Sequence, residues 1–205
     1  AFLDDGEAEN RRTRAISNDP DDLSSAATLS IISVEARKQV RDEAWIQPRN
    51  ADELHDGLLQ LGFLTREEYS SGNSSCAAAG SAGNWNQWFS ALSEDFRVCS
   101  VKLNVNGEEK PSHWWVASER LPEWRAIHPQ SHYSPDPTAL LPDTGVMDSD
   151  EALVGLLRSR MSGLGPVCRA QLAHDFGLDE ERIQRALLSL QNEGFAILMQ
   201  DESTD

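Results

Sequence analysis

The chain carries Leu61-Gly62-Phe63-Leu64-Thr65-Arg66 between two segments with helical periodicity, and it repeats this arrangement at Leu164-Gly165-Pro166-Val167-Cys168-Arg169. In both places an apolar helix precedes the Leu-Gly pair, and a polar helix start, a long amphipathic helix and an apolar strand follow it. Three helices followed by a strand or hairpin are typical of the winged-helix arrangement. The repetition over residues 54–103 and 157–198 therefore predicts a tandem pair of such units.

Helix-start signals and changes in composition divide the chain into four parts. Residues 1–48 are predicted to be a helical, partly solvated N-terminal segment, and residues 49–127 are the first winged-helix unit with a β-hairpin wing. Residues 128–148 hold four of the nine prolines and are predicted to be a linker. Residues 149–205 are the second unit, with a truncated wing. The predicted fold class is α+β, mainly α.

Capping boxes mark the starts of three helices. Asn50-Ala51-Asp52-Glu53 and Thr65-Arg66-Glu67-Glu68 open two helices of the first unit, and Asp148-Ser149-Asp150-Glu151 opens the second unit. An earlier helix over residues 33–45 is predicted to bury Val40. The apolar positions after these starts recur at helical spacing and are predicted to form the core.

The later part of the first unit combines an insertion, an aromatic helix and a hairpin. Residues 70–84 are rich in Ser, Gly, Ala and Asn and are predicted to be a flexible insertion. Trp85, Leu92 and Phe96 then fall at helical spacing and are predicted to be buried. Asn106-Gly107 lies between two apolar runs and predicts an antiparallel hairpin over residues 98–117.

The third helix of the second unit carries the candidate DNA contacts. Its apolar side leaves Arg182, Gln184 and Arg185 more exposed, and in a winged helix that reads DNA such positions make the contacts. Arg169 and Lys102 complete the candidate set. The alternative is that these side chains only solvate an acidic helix, because four carboxylates lie in or beside this helix, which has two arginines.

The charge balance limits what the chain can bind by itself. It has 18 Lys and Arg against 34 Asp and Glu, so its net charge is −16, and every segment is net acidic. Phosphate contacts supply most non-specific affinity for nucleic acid, and DNA binding by the isolated chain is therefore expected to be weak. Three scattered cysteines fit a reducing cytoplasm. No apolar run is long enough to span a membrane, and no signal peptide opens the chain.

Motifs for catalysis and cofactor binding are absent from the sequence. There is no GxxxxGK[ST] loop for nucleotide phosphates, no CxxC or HExxH pattern for zinc, and no GxSxG turn for a serine nucleophile. We therefore expect the chain itself to be non-catalytic, with no metal site, and to bind neither ATP nor Zn²⁺.

The chain resembles an internal part of the large-helicase-related (Lhr) family of superfamily 2, ATP-dependent, DNA-translocating helicases. The most specific matches are Ala51-Asp52-Glu53-Leu54-His55-Asp56 and Trp115-Val116-Ala117-Ser118-Glu119-Arg120-Leu121-Pro122. The resemblance runs nearly end to end and includes Leu164-Gly165-Pro166-Val167 and Glu193-Gly194-Phe195. Family members commonly have Thr where this chain has Cys168, so the helix that follows is expected to be less well capped.

The resemblance implies an accessory segment, C-terminal to the motor domains, that helps the motor grip or position DNA during repair. The DNA would be single-stranded and bound in the context of the full helicase. ATP and Mg²⁺ would bind the motor domains of the same polypeptide, and none of their residues carries over onto this chain. An alternative is an acidic winged-helix scaffold that binds protein without direct DNA contact. A third possibility comes from the similarity of this family's C-terminal modules to DNA glycosylases, but no carboxylate here is marked out for base excision.

Overall fold

The computed structural model describes residues 34–78, 84–105, 108–137, 145 and 147–198, and residues 37–197 form one compact unit. The helices are α1 (Val34–Ala44), α2 (Ala51–Leu61), α3 (Arg66–Ala78), α4 (Trp85–Glu94), α5 (Leu121–Ile127), α6 (Ser149–Leu164), α7 (Arg169–Phe176) and α8 (Glu180–Asn192). The strands are β1 (Val98–Val105), β2 (Glu108–Ala117) and β3 (His132–Ser134), and a 3₁₀ turn, Ser118–Arg120, leads into α5. The fold class is α+β and mainly helical, as predicted. Most of the predicted N-terminal segment lies outside the described residues.

The predicted helix starts are confirmed by their hydrogen bonds. Asn50 Oδ1 accepts from the Glu53 N–H at 2.9 Å, while the Thr65 N–H donates to Glu68 Oε2 at 2.9 Å. Asp148 Oδ1 likewise accepts from the Glu151 N–H at 2.9 Å. These side chains satisfy N–H groups that have no partner inside the helix. Gly62 caps the C-terminal end of helix α2, and its φ of 83° suits a residue without a Cβ.

The three strands form an antiparallel sheet in the order β2-β1-β3. The predicted pairing of residues 98–105 with 108–117 is confirmed, with Val98 opposite Ala117 and Val101 opposite Trp114. Asn106 and Gly107, which motivated this prediction, lie outside the described residues. Strand β3 falls within the predicted linker, so residues 132–134 correct that prediction. A three-residue strand carries too short a pattern to stand out among prolines.

Both faces of the β1–β2 hairpin carry buried side chains within residues 98–103 and 114–117. On one face, Val98, Trp115 and Ala117 join a core built with α2 and α4. On the other face, five side chains join a second core built with α5, α6, α7 and α8: Cys99, Val101, Leu103, Trp114 and Val116. The hairpin is therefore a central layer between two groups of helices. An exposed hairpin would instead leave one face to solvent.

The aromatic residues of the first core stack closely. The Trp115 ring lies between Tyr69 and Phe89, with ring centroids 4.0 Å and 4.2 Å apart and the rings nearly parallel. Trp85 and Leu92 are buried, as predicted. This packing uses the aromatic side chains of α3 and α4 as core and leaves them no role as an exposed platform for bases.

The predicted insertion over residues 70–84 is wrong for its first part, because α3 continues to Ala78. Ser and Ala are compatible with a helix, so the composition did not exclude one. Gly72 allows the close approach of α4, since a Cβ at this position would lie 2.4 Å from Trp85 Cε3. Residues 79–83 lie outside the described residues.

Two residues predicted to be buried are exposed. Helix α4 ends at Glu94, and Phe96 takes up a positive φ of 57°. The Arg97 N–H then donates to Leu92 O at 2.9 Å and turns the chain into β1. Phe96 leaves the apolar stripe as a result and is 42% exposed, and Val40 on α1 is 44% exposed.

The strand expected after the third helix of the second unit is not formed by residues 193–198. The N–H groups of Phe195 and Ala196 both donate to Leu190 O, at 2.9 Å and 3.2 Å. The chain thus turns back against the end of α8, with Gly194 at a φ of 74°. The apolar run after Gly194 looked like a strand because composition cannot reveal this turn.

Cys168 occupies the N-cap of α7 and makes no side-chain capping bond, which confirms the weak cap expected there. Replacing Cys168 with Ser should raise the free energy of unfolding by about 1 kcal/mol, because a hydroxyl accepts from the free N–H groups of the first turn. Urea denaturation of the wild type and the variant measures this. Cys168→Ala is the control, since it removes the thiol without supplying an acceptor. An equal gain in both variants would contradict the capping explanation.

Candidate nucleic-acid interface

Helix α8 places the three predicted contacts on different sides. Asp179 Oδ1 accepts from the Arg182 N–H at 2.7 Å and starts the helix. The buried stripe of α8 consists of Ile183, Ala186 and Leu190. Successive residues are rotated by about 100° in a helix, so Arg182 lies about 70° from the middle of this stripe, while Gln184 and Arg185 lie about 130° from it in opposite directions. The three side chains do not form one patch.

Gln184 lies beside Arg169, which comes from the start of α7. Arg169 Nη1 donates to Gln184 Oε1 at 2.8 Å, and Arg169 Nε donates to Glu180 Oε2 at 2.9 Å. Both Arg169 and Glu180 are about half exposed. The structure therefore brings together two of the predicted contacts, but a carboxylate already neutralises the charge of Arg169.

Arg182 is held against the first turn of α6. Its Nη2 donates to Ser149 Oγ at 2.5 Å, and its Nε lies 3.8 Å from Asp150 Oδ1. The side chain is only 21% exposed. Arg182 thus joins α8 to α6, and a phosphate would have to compete with these contacts.

Arg185 differs from the other two arginines because its side chain is exposed. Within the described ranges, no hydrogen bond or ion pair joins its guanidinium to another residue. The exposed side of α8 around it is mainly polar and also includes Glu181, Leu188, Ser189 and Asn192. Among the predicted contacts on α8, Arg185 is the cation most available to a ligand.

Lys102 lies away from α8, on the central strand of the sheet. It faces His113 of β2 and His132 of β3 in the strand register. The sequence did not associate Lys102 with these histidines, because their pairing depends on the sheet order. The predicted contacts therefore fall into an α8 group and a separate sheet position.

Arg160 is fully buried and was not predicted from the sequence. Its Nη1 donates to Phe63 O at 3.0 Å, and its Nη2 donates to Glu68 Oε1 at 2.5 Å and lies 3.6 Å from Asp175 Oδ2. The guanidinium also lies 4.4 Å from the centre of the Phe63 ring. Arg160 thereby links α6 to α3 and α7. The signal was present, since Arg160 falls on the helical stripe that contains Leu153, Leu157 and Leu164.

Burial shifts the pKa values of two groups near this interface. It raises the pKa of Asp175, an effect that the positive charge of Arg160 opposes. Burial also lowers the pKa of His128 to about 4, while its hydrogen bond to Phe176 O acts in the opposite direction. The positive charge of Arg182 lowers the His128 pKa further. Arg182 therefore affects the electrostatics of the core as well as those of the surface.

The two most specific elements of the sequence meet in one hydrogen-bonded chain. Asp52 and His55, from the first element, contact Arg97, and His55 also contacts Glu119, from the second element. His55 Nε2 lies 3.2 Å from Glu119 Oε2, and Arg97 Nη2 lies 3.2 Å from His55 Nδ1. Since Arg97 can only donate, Nδ1 must accept and Nε2 must carry the proton. Both ring nitrogens are engaged, which favours a structural role for His55.

Comparison with known protein families and with characterised proteins finds no match for this chain. Among the residues that the structure describes, no group of three or more His, Cys, Asp or Glu side chains is arranged to hold a metal ion. None of the helices in the described ranges is long and apolar enough to cross a membrane.

Proposed function

We propose that the chain is a non-catalytic accessory segment of an Lhr-family DNA helicase that grips or positions single-stranded DNA for the motor during repair in the cytoplasm. ATP and Mg²⁺ act in the motor domains of the same polypeptide, which are the second partner of this segment. The exposed polar side of α8, with Arg185 at its centre, is the observation that carries the proposal. The resemblance of the elements containing His55 and Glu119 supports it.

We also propose that the chain is built from two winged-helix units. The order α2, α3, α4, β1, β2 agrees with a complete first unit, and α6, α7, α8 agree with the helices of a second. Short loops and the order of three helices, which is the same in both groups, favour this interpretation over an unrelated helical bundle. The second group has no strand after α8 up to residue 198, and the shared sheet supplies its missing layer.

A second candidate function is an acidic scaffold that binds protein and does not touch DNA. The pairing of Arg169 with Glu180 and of Arg182 with Asp150 favours it, because these cations are partly neutralised within the molecule. The net charge of −16 also favours the scaffold, because a negative protein repels the phosphates of DNA.

Arg185→Ala distinguishes the two candidates. If Arg185 contacts a phosphate, its loss should reduce the slope of log affinity against log salt by about 0.7 for single-stranded DNA. Adding Arg182→Ala should at most double this reduction, because Arg182 is already paired. Fluorescence anisotropy of a labelled oligothymidylate between about 50 and 200 mM salt measures the slope.

Arg49→Ala is the matched control, since it removes an exposed arginine far along the chain from α8. It should leave the slope unchanged. If Arg185→Ala and the double variant also leave the slope unchanged, the α8 interface is wrong and the scaffold candidate is favoured.

A further inference from the structure

The turn between α4 and β1 places an aromatic residue in a left-handed backbone conformation. Phe96 has a φ of 57°, and among the residues that the structure describes no other residue except glycine has a positive φ. A positive φ brings Cβ close to the following carbonyl oxygen, so bulky residues rarely adopt it. The backbone at Phe96 is therefore strained.

Two other helices end with the same turn but have glycine at this position. The Phe96 N–H donates to the carbonyl three residues back at 3.1 Å, and the Arg97 N–H donates to the carbonyl five residues back at 2.9 Å. This pair of bonds also closes α7 and α8, where Gly177 and Gly194 have the positive φ. The turn itself thus has no need of an aromatic residue, since glycine forms it without strain.

The phenyl ring of Phe96 is not used to build the interior. The residue is 42% exposed, and its ring is not among the side chains that form or border the two cores. Strained residues are concentrated at functional sites, and aromatic side chains are enriched in protein–protein interfaces. A strained aromatic residue at the surface is therefore a candidate for a binding contact.

Hydrogen bonds hold the backbone that carries the ring. Ser118 Oγ donates to Phe96 O at 2.6 Å, and the Ser118 N–H donates to Arg97 O at 2.9 Å. Arg97 Nη1 donates to Asp52 Oδ1 at 2.6 Å. Asp52 and Ser118 belong to the two most specific elements of the sequence, so both elements support this turn. A ring on a fixed backbone loses little freedom when a partner binds.

The charges around the ring are mainly negative. Glu94 and Asp95 directly precede Phe96 and are exposed, and within the described part of the chain no hydrogen bond or ion pair involves either carboxylate. Arg97 follows Phe96, but Asp52 pairs with its guanidinium. Two carboxylates therefore remain without a cation. Such surroundings repel phosphates and attract cations.

We propose that Phe96 is the anchor of a docking site for a basic protein segment. The ring enters an apolar pocket of the partner, and lysine or arginine side chains of the partner pair with Glu94 and Asp95. A second copy of the chain does not fit this description, because its net charge of −16 would be repelled. The docking site goes beyond the proposed function and does not depend on whether α8 contacts DNA.

The strain is tested by comparing Phe96→Gly with Phe96→Ala. Both variants lack the ring, but only glycine relaxes the backbone, so the unfolding equilibrium constant of Phe96→Gly should be about 5- to 30-fold lower. Urea denaturation measures both constants. Ala91→Gly, at an exposed position within α4, is the control and should raise the constant about fivefold. Equal constants for the two Phe96 variants would overturn the strain on which the proposal depends.

The docking site is tested with a fluorescent helical peptide that has leucines on one face and lysines on the other. Fluorescence anisotropy should show that Phe96→Ala weakens its binding to the 205-residue chain by at least about tenfold. Phe195→Ala removes a ring that is 41% exposed elsewhere on the surface and should leave the affinity unchanged. Phe96→Gly repeats the test with a relaxed backbone, so a weakly folded Phe96→Ala does not decide the result.

Two further probes separate this contact from general attraction between charges and from DNA binding. A peptide with serines in place of the leucines should bind the wild type weakly, because it has no pocket for the ring. Equal binding of the two peptides, or equal affinity of the wild type and both Phe96 variants for the leucine peptide, would overturn the proposal. Binding of oligothymidylate should be the same in Phe96→Ala and the wild type. Its loss in the variant would overturn the protein partner in favour of a ring that stacks on bases.

Discussion

Arg160→Ala is expected to lower the free energy of unfolding by about 3 to 5 kcal/mol, which is a large share of the stability of a domain. The side chain of Arg160 is fully buried and touches α3 and α7 through Glu68, Asp175 and Phe63 O. Removing it leaves two nearly buried carboxylates without their common cation and a cavity beside the Phe63 ring. Denaturation by urea, followed by tryptophan fluorescence, measures the loss.

Arg158→Ala is the matched control on the same helix. Arg158 is 42% exposed and pairs with Glu193 at the surface, so its loss should cost less than about 1 kcal/mol. Arg160→Met fills the cavity without restoring the charge and should fall between the two. Similar losses for Arg160→Ala and Arg158→Ala would show that the buried ion pairs contribute little.

The stability of the protein is expected to depend on pH through His128. Its pKa of about 4 in the folded protein lies below the ordinary value of 6.5, so the folded state binds fewer protons between these pH values. This contribution to stability is fully present above about pH 6.5 and is lost as the pH falls towards 4. The loss should amount to about 3 kcal/mol, since each pKa unit corresponds to about 1.4 kcal/mol.

His128→Gln isolates this effect. Glutamine retains a donor for Phe176 O, which His128 Nε2 contacts at 2.9 Å, but it does not titrate. The raised pKa values of Asp175 and Glu123 act in the opposite direction, since protonation of these carboxyls favours the folded state at low pH. The free energy of unfolding is measured for the wild type and for His128→Gln from pH 7.5 to 4. The difference between the two proteins removes the contributions of Asp175 and Glu123, which both proteins share. Parallel curves would contradict the assigned role of His128.

Local signals were sufficient to predict most helix boundaries and the hairpin. The caps at Asn50, Thr65 and Asp148 act over three or four residues, so the sequence contains both partners of each hydrogen bond. The apolar stripe of α8 follows from its periodicity for the same reason. The pairing of β1 with β2 follows from a short connection between two apolar runs.

Features that depend on distant residues could not be predicted in this way. The register of Lys102 with His132 depends on a strand that the proline content concealed. Whether a candidate arginine is paired within the protein also depends on tertiary contacts. Arg182 and Arg185 look alike in the sequence, but Arg182 contacts Ser149 and Asp150 in the structure. Arg160 shows the converse case, in which helical spacing marked a position as buried although the residue is charged.

The burial of side chains on both faces of the β1–β2 hairpin has a consequence for synthesis of the chain. A ribosome releases β1 and β2 well before α6, α7 and α8. The face formed by Val101, Trp114 and Val116 is therefore exposed to solvent until these helices are synthesised. Such transient apolar surfaces are the points at which nascent chains aggregate or recruit chaperones. The hairpin therefore depends on α6, α7 and α8 to complete the core. A translation product truncated before α6 would expose the apolar face of the sheet and would be prone to aggregate.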